Sequence, residues 1–317
     1  MTSDPEPATT HLRNKKTRLL ALAALVLTGL ILYFVAADSP HRHQPAPGPV
    51  DASPPNPAAT TDPSEASAIV HRGAVIAADF PTLELPVQVA NFSFDWVKKS
   101  IRTQQKLPPK SAVRLEEILN HYPLQFAGAA AIAGSSAKNV EPGHLASLTT
   151  ETLPCPWKPS ATLLLISLSG NPHADCEIKI AFHANTENVF RYRLLGFAAV
   201  SGAQTHPLPT KVAADTTTLL AVEIESKRLG TSLGHLEWTT NGIAAPAIPL
   251  SHHLDSEPSD DARFATLVCS FSQWLSGDQT GVLDAEIVSA LAREIASSTL
   301  PLDRADFLKL VEEATRL

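Results

Sequence analysis

Twelve histidines, three cysteines and the adjacent glutamates Glu116-Glu117 are the residues of this 317-residue chain whose types could carry chemistry. His41 and His43, with only Arg42 between them, make half of a zinc ligand set, but they lie in a proline-rich stretch and read as solvated linker. His252-His253, followed by Leu254-Asp255, would suit proton transfer or a Ser-His-Asp set; in a polar connection the pair reads as solvated. Glu116-Glu117 would have to converge on one reacting atom to act as acid and base. Neighbours on a helix diverge by about 100°, so the two are expected on a solvated face with Arg114 and Asn120. Cys155, Cys176 and Cys269 form no Cys-x-x-Cys pair, which removes zinc ribbons and dithiol redox chemistry. A Cys155–Cys176 bridge in an oxidising compartment and buried free thiols both fit this spacing. No Gly-x-Ser-x-Gly elbow, His-Glu-x-x-His helix, phosphate loop or dinucleotide fingerprint occurs. The sequence therefore assigns no catalytic, cofactor-binding or metal-ligating residue and no cofactor, and its binding residues stay unassigned.

The elements around these residues fall into distinct compositions. Leu19 to Ala37 is an uncharged apolar run that would span about 28 Å as a helix, close to the hydrocarbon thickness of a bilayer. Arg13, Lys15, Lys16 and Arg18 precede it and a proline-rich chain follows, which predicts a cytoplasmic N-terminus and an external body. An uncleaved signal anchor is favoured over a cleaved signal peptide, whose apolar region runs to only about 15 residues; Val35-Ala36-Ala37 is the rival's cleavage site. Residues 38–67 hold eight prolines and almost no large apolar side chains, so they are expected to be a disordered, semi-rigid spacer. The net charge is −7, with the cationic patch confined to the tail. An acidic body without a basic stripe argues against nucleic acid as a partner.

From residue 68 the pattern is globular. Asp95 is expected to cap a short helix that the Leu107-Pro108-Pro109 run stops. Leu115, Ile118, Leu119 and Tyr122 recur at helical spacing and predict an amphipathic helix over 111–122. Seven β-type runs follow, among them "ATLLLISL", "EIKIAFH", "TTLLAVEIES" and "LGHLEWTT", the pattern of an antiparallel sandwich or open barrel. The polar stretch around Gly170, Asn171, Pro172 and Asp175 reads as a hairpin turn between two of them. The last sixty residues switch to a period near 3.6 and predict three helices, the first opened at Ser259 and ended at Gly277. The fold class is thus mainly β with α: an antiparallel β-sandwich-like body plus C-terminal helices, preceded by one transmembrane helix and a disordered linker. The expected organisation is a cytoplasmic tail 1–18, a transmembrane helix 19–37, a linker 38–67, a β-rich domain 68–258, and a helical subdomain 259–317.

Several of these residues also carry a family likeness. Phe92-Ser93 with Asp95, the Leu107-Pro108-Pro109 stop, Val113-Arg114-x-Glu116-Glu117, and Pro156-Trp157-x-Pro159 before a strand resemble the N-terminal flank of YfbK-like proteins. These are bacterial von Willebrand factor type A domain-containing proteins. "VFRYRLLGF" (189–197), "DDARFATLVCSFSQWLSG" (260–277) and "LDRADFLKLVEEATRL" (302–317) resemble the C-terminal domain of unknown function in that family. The resemblance implies a doubly wound central domain, whose Asp-x-Ser-x-Ser motif holds Mg²⁺, after the strand ending at Gly170. This chain has no Asp-x-Ser-x-Ser, and residues 171–175 are all that separates the two flanks. The helix after Asp95 is also shorter than the family's, and a family tyrosine position is Val222.

These readings predict a non-enzymatic, single-pass protein of the inner membrane whose periplasmic or extracellular body is a protein-interaction or scaffold module. Its expected partners are the membrane, through one N-terminal helix, and an envelope protein, with neither nucleic acid nor a small-molecule cofactor. An envelope hydrolase with a site assembled from separated loops, and a transmembrane signalling regulator, are the alternatives.

Overall fold

The computed structural model describes residues 69–70, 73–90, 92–128, 130–132, 146–197, 199–200, 210–228, 230–252, 257–277, 282–296 and 300–317. All fall within one compact unit, Thr60–Leu317. The tail 1–18, the apolar segment 19–37, the linker 38–67 with His41 and His43, and His253 lie outside the described residues. Among the described residues, no helix is long and apolar enough to cross a membrane.

In chain order the elements are β1 (Ile69–Val70), β2 (Val75–Ile76), β3 (Thr82–Leu85), α1 (Ser93–Arg102), a 3₁₀ turn (Lys110–Ala112), α2 (Leu115–Leu119), β4 (Ala130–Ile132) and β5 (Ser147–Pro154). Then come β6 (Ala161–Ser169), β7 (Cys176–Ala184), β8 (Val189–Leu194), β9 (Ala199–Val200), β10 (Lys211–Val212), β11 (Thr217–Ser226), β12 (Ser232–Thr240), β13 (Ile243–Ala244) and β14 (Ile248–Ser251). Helices α3 (Asp260–Ser276), α4 (Ala285–Ile295) and α5 (Leu302–Ala314) complete the chain. One sheet has the order β2-β8-β11-β6-β5-β4. In the second, β7 and β12 are central, with β3 and β10 on the far side of β7 and β13 and β14 on the far side of β12. Strands β1 and β9 form a separate two-stranded pair. Every described strand pair is antiparallel.

The first sheet is covered on both faces, and its sequence says why. Along β6, Leu164, Ile166 and Leu168 join Ile178, Ile180 and Phe182 of β7 in a core between the sheets. The alternate residues Ala161, Leu163 and Leu165 join a second core beneath the helices. A strand read from both sides needs apolar residues at consecutive positions, and "LLLISL" supplies them. Burying each leucine contributes about 1.5–3 kcal/mol. Strand β7 is wet on its outer face, and its sequence alternates accordingly.

The connection after Gly170 corrects the hairpin reading. Strand β6 pairs with β5 and β11, whereas β7 pairs with β12, β3 and β10, so residues 170–175 arch from one sheet to the other. Strand β6 has a neighbour on each side and no edge left to offer. The tight hairpin is instead the Asn241-Gly242 turn joining β12 and β13, with φ of 50° and 75° at its two residues.

The helical layer draws on both ends of the unit. Phe307 of α5 is ringed by Phe271 at 5.3 Å, Phe264 at 5.5 Å, Tyr122 at 5.6 Å and Phe94 at 6.1 Å between centroids. The predicted caps of α3 are present: the Ser259 hydroxyl accepts the Ala262 N–H at 3.2 Å, and Gly277 adopts φ 72°. This helix is buried around nearly its whole circumference. Its interior hydroxyls at Thr266, Ser270 and Ser272 are satisfied by carbonyls four residues back, at 2.7–2.8 Å.

Two local readings are corrected in this layer. The 111–122 helix is a 3₁₀ turn followed by five helical residues, and its glutamates are buried. Glu117 accepts the N–H groups of Phe92 (2.9 Å) and Ser93 (2.6 Å), so it caps α1 in the role expected of Asp95, which instead pairs with Lys98 at 2.7 Å. Asn120 clasps β11 by accepting the Leu219 N–H at 2.7 Å and donating to its carbonyl at 2.8 Å.

Candidate functional site

The outer face of the second sheet carries the arrangement richest in chemistry. Strand β7 points Lys179, Ala181 and His183 outward because Ile178, Ile180 and Phe182 must enter the core. On β12, Leu236 and Trp238 enter the same core, which sends His235, Glu237 and Thr239 outward. Register places His235 directly opposite His183, and Glu237 opposite Ala181, whose methyl leaves room for the carboxylate. The two imidazole rings stack with centroids 5.0 Å apart and planes 11° from parallel. Glu237 reaches both: one oxygen lies 3.3 Å from His183 Nε2 and the other 3.2 Å from His235 Nε2. On the far side, Thr82 Oγ1 of β3 lies 3.2 Å from His183 Nδ1.

Gly234 makes this alignment achievable. It has φ +122°, and a Cβ there would fall 1.9 Å from the His183 carbonyl oxygen. The β12–β14 register shifts between Ser232 and Gly234, a bulge that aims the following residue. Beside the histidines a groove of about 670 Å³ runs over the sheet, lined by Glu84, Leu85, Lys179, Thr210, Ala244 and Ala247 as well as by His183 and Glu237.

A second polar cluster sits on the opposite face of the first sheet, in a cleft of about 440 Å³. Glu223 accepts the Trp157 indole N–H at 2.7 Å and a guanidinium N–H of Arg193 at 2.7 Å. Arg193 also bonds the Gln273 side-chain oxygen at 2.9 Å. Glu225 is bound by Lys158 and Arg191. Burial alone would raise the Glu225 carboxyl, but these two cations hold it below the ordinary carboxylate range. Each carboxylate here is matched to cations and fixed by a hydrogen-bond network, which suits a clamp between sheet and helices better than proton transfer.

Other residues singled out in the sequence take structural places. His252 is half-buried, not solvated: its Nε2 lies 3.0 Å from Ser226 Oγ, its Nδ1 meets Thr162 Oγ1, and burial depresses its pKa. Ser226 and His252 are a nucleophile-and-base pair in type, yet a threonine stands where a carboxylate would orient the ring. Burial pushes the Glu116 carboxyl up, and its closest neighbours include the Phe197 backbone N–H and Arg114. The three cysteines are free and buried. Cys155 belongs to the core beneath the helices and Cys176 to the core between the sheets, which rules out the bridge in this fold. The His183, His235 and Glu237 cluster was not anticipated from the sequence. Its visible half was His-x-Glu at 235–237, a spacing that puts both side chains on one face of a strand.

Residues 67–165 match the sequence family described as von Willebrand factor, of the A type, and are related to it. The matched stretch runs from just before β1 into β6 and includes α1 and α2. No curated protein and no solved structure matches the chain.

Proposed function

We propose that this protein is a non-enzymatic, membrane-anchored interaction module of the bacterial cell envelope, a YfbK-like chain without the central metal-binding von Willebrand factor A domain. The observation that carries this reading is the von Willebrand match at 67–165, a sequence class suited to binding proteins, on a chain with no Asp-x-Ser-x-Ser motif. The matched residues belong to the same antiparallel sheets and helical core as the C-terminal part, and the arch at 170–175 stands where the YfbK-like resemblance implies the central domain. The apolar run 19–37 supplies the anchor, with the N-terminus cytoplasmic and the body outside the inner membrane. The groove on the second sheet is the docking face for an envelope protein, with Lys179 and Glu84 at its walls.

Three measurements test this together. A C-terminal reporter enzyme active only outside the cytoplasm should be active, and deletion of 19–37 should release the protein from the membrane fraction. A photocrosslinking residue at position 179 should give one discrete adduct, while the same residue at the exposed Leu302 should give none. A cytoplasmic reporter signal, or identical adducts from both positions, would sink the proposal.

A further inference from the structure

We propose that His183, His235 and Glu237 form a binding site for a divalent transition-metal ion of the zinc type, with one coordination position open toward the groove. This stands apart from the interaction reading, since it rests on the geometry of three side chains. Two imidazoles and a carboxylate are a donor set that zinc and its first-row neighbours accept, whereas calcium and magnesium prefer oxygen alone.

Two of the spacings are close to those such an ion requires. Bonds of about 2.0–2.1 Å at tetrahedral angles set neighbouring donor atoms about 3.3 Å apart. His183 Nε2 lies 3.3 Å from one Glu237 oxygen and His235 Nε2 3.2 Å from the other, and one donor atom from each residue falls within 4.8 Å of the others. The ligands stand on the paired strands β7 and β12, where backbone register fixes them before any ion arrives. Thr82 supplies an outer partner: a His183 Nδ1–H donating to Thr82 Oγ1, 3.2 Å away, leaves Nε2 unprotonated for the metal.

With three protein ligands, the fourth position belongs to water or to a donor atom of a molecule lying in the groove.

Full-length protein, stripped of metal and held in detergent, is titrated with Zn²⁺ by calorimetry and with Co²⁺ by its visible ligand-field absorption. One saturable site is expected, with intense Co²⁺ bands of a four-coordinate centre. His183→Gln, His235→Gln and Glu237→Gln should each weaken binding at least tenfold, while a His41→Asn/His43→Asn double variant should leave this site intact. Absence of saturable binding, or unchanged affinity in the His235→Gln variant, would overturn the proposal, as would loss confined to the His41/His43 variant. Circular dichroism checks each fold. Should a histidine variant unfold, Glu237→Gln decides the matter, because that side chain is 61% exposed and its replacement leaves the core untouched.

Discussion

Trp157 and Glu223 meet through a 2.7 Å hydrogen bond at a place where the indole is 1% exposed and the carboxylate 3%. The pair ties the turn before β6 to the middle of β11, and Arg193 of β8 completes it. Removing the charge takes one partner from a guanidinium with only 13% of its side chain exposed. Glu223→Gln should therefore cost about 3–5 kcal/mol of stability. Trp157→Phe, which removes only the N–H, should cost about 1–3 kcal/mol. Urea melts of the two variants should rank in that order.

Phe307 is the point where α1, α3, α5 and the segment after α2 converge. Phe307→Ala should cost about 3–5 kcal/mol. Because α1 and α2 share this core with α3 and α5, the loss should appear as one cooperative transition. A separate early unfolding of residues 302–317, seen by hydrogen exchange with the remainder still protected, would contradict it.

Gly234 resists replacement by a residue with a Cβ. Its φ of +122° and the 1.9 Å approach to the His183 carbonyl both oppose a side chain. Gly234→Ala should lose more than about 1 kcal/mol. For a unit of this size that is a fall in melting temperature of at least about 2–4 °C, readable by differential scanning fluorimetry.

The thiols should be silent in the native state. Burial raises the Cys155 thiol and pushes Cys269 up to about 12, so these two hold almost no thiolate at pH 8, and Cys176 is closed off by burial. A maleimide should label none of the three cysteines in native protein and all three in urea. Intact mass after mild oxidation should reveal no intramolecular bridge.

His252 gives stability a definite pH dependence. Burial lowers its pKa below the ordinary 6.5, so the unfolded chain takes up this proton more readily than the folded one. The contribution is fully present above about pH 6.5 and is lost as pH falls through the depressed folded value. His121, packed against Phe94 at 4.8 Å, shifts in the same direction. His252→Asn should flatten the decline in stability between about pH 6.5 and 5 relative to wild type, measured by chemical denaturation at each pH. An unchanged slope would count against the half-buried placement of the ring.

Strand positions were legible because each has its own periodicity: "EIKIAFH" alternates, and "LLLISL" does not. The helix ends at Ser259 and Gly277 were legible because caps are local chemistry. What escaped was partnership across distance. Turn residues such as Asn171 and Pro172 serve a hairpin and a sheet-to-sheet arch equally well, and only the uniform burial of β6 separates the two. Glu116 and Glu117 resemble a wet helical face until the N–H groups of Phe92 and Ser93 are seen to need Glu117. His183 and His235 meet only through strand register, which neither residue's neighbours encode.

The clasp between α1 and α5, where Arg102 forks onto Asp306 at 2.9–3.0 Å and reaches Glu313 at 2.9 Å, has a consequence for the order of events during synthesis. Arg102 leaves the ribosome 211 residues before Glu313 does. Through most of that interval the apolar faces of α1 and α2 have neither Phe264 nor Phe307 to cover them. The unit therefore finishes folding only after translation of its last turn, late and through contacts of long sequence separation. Until then the chain remains a substrate for whatever binds unfolded polypeptide.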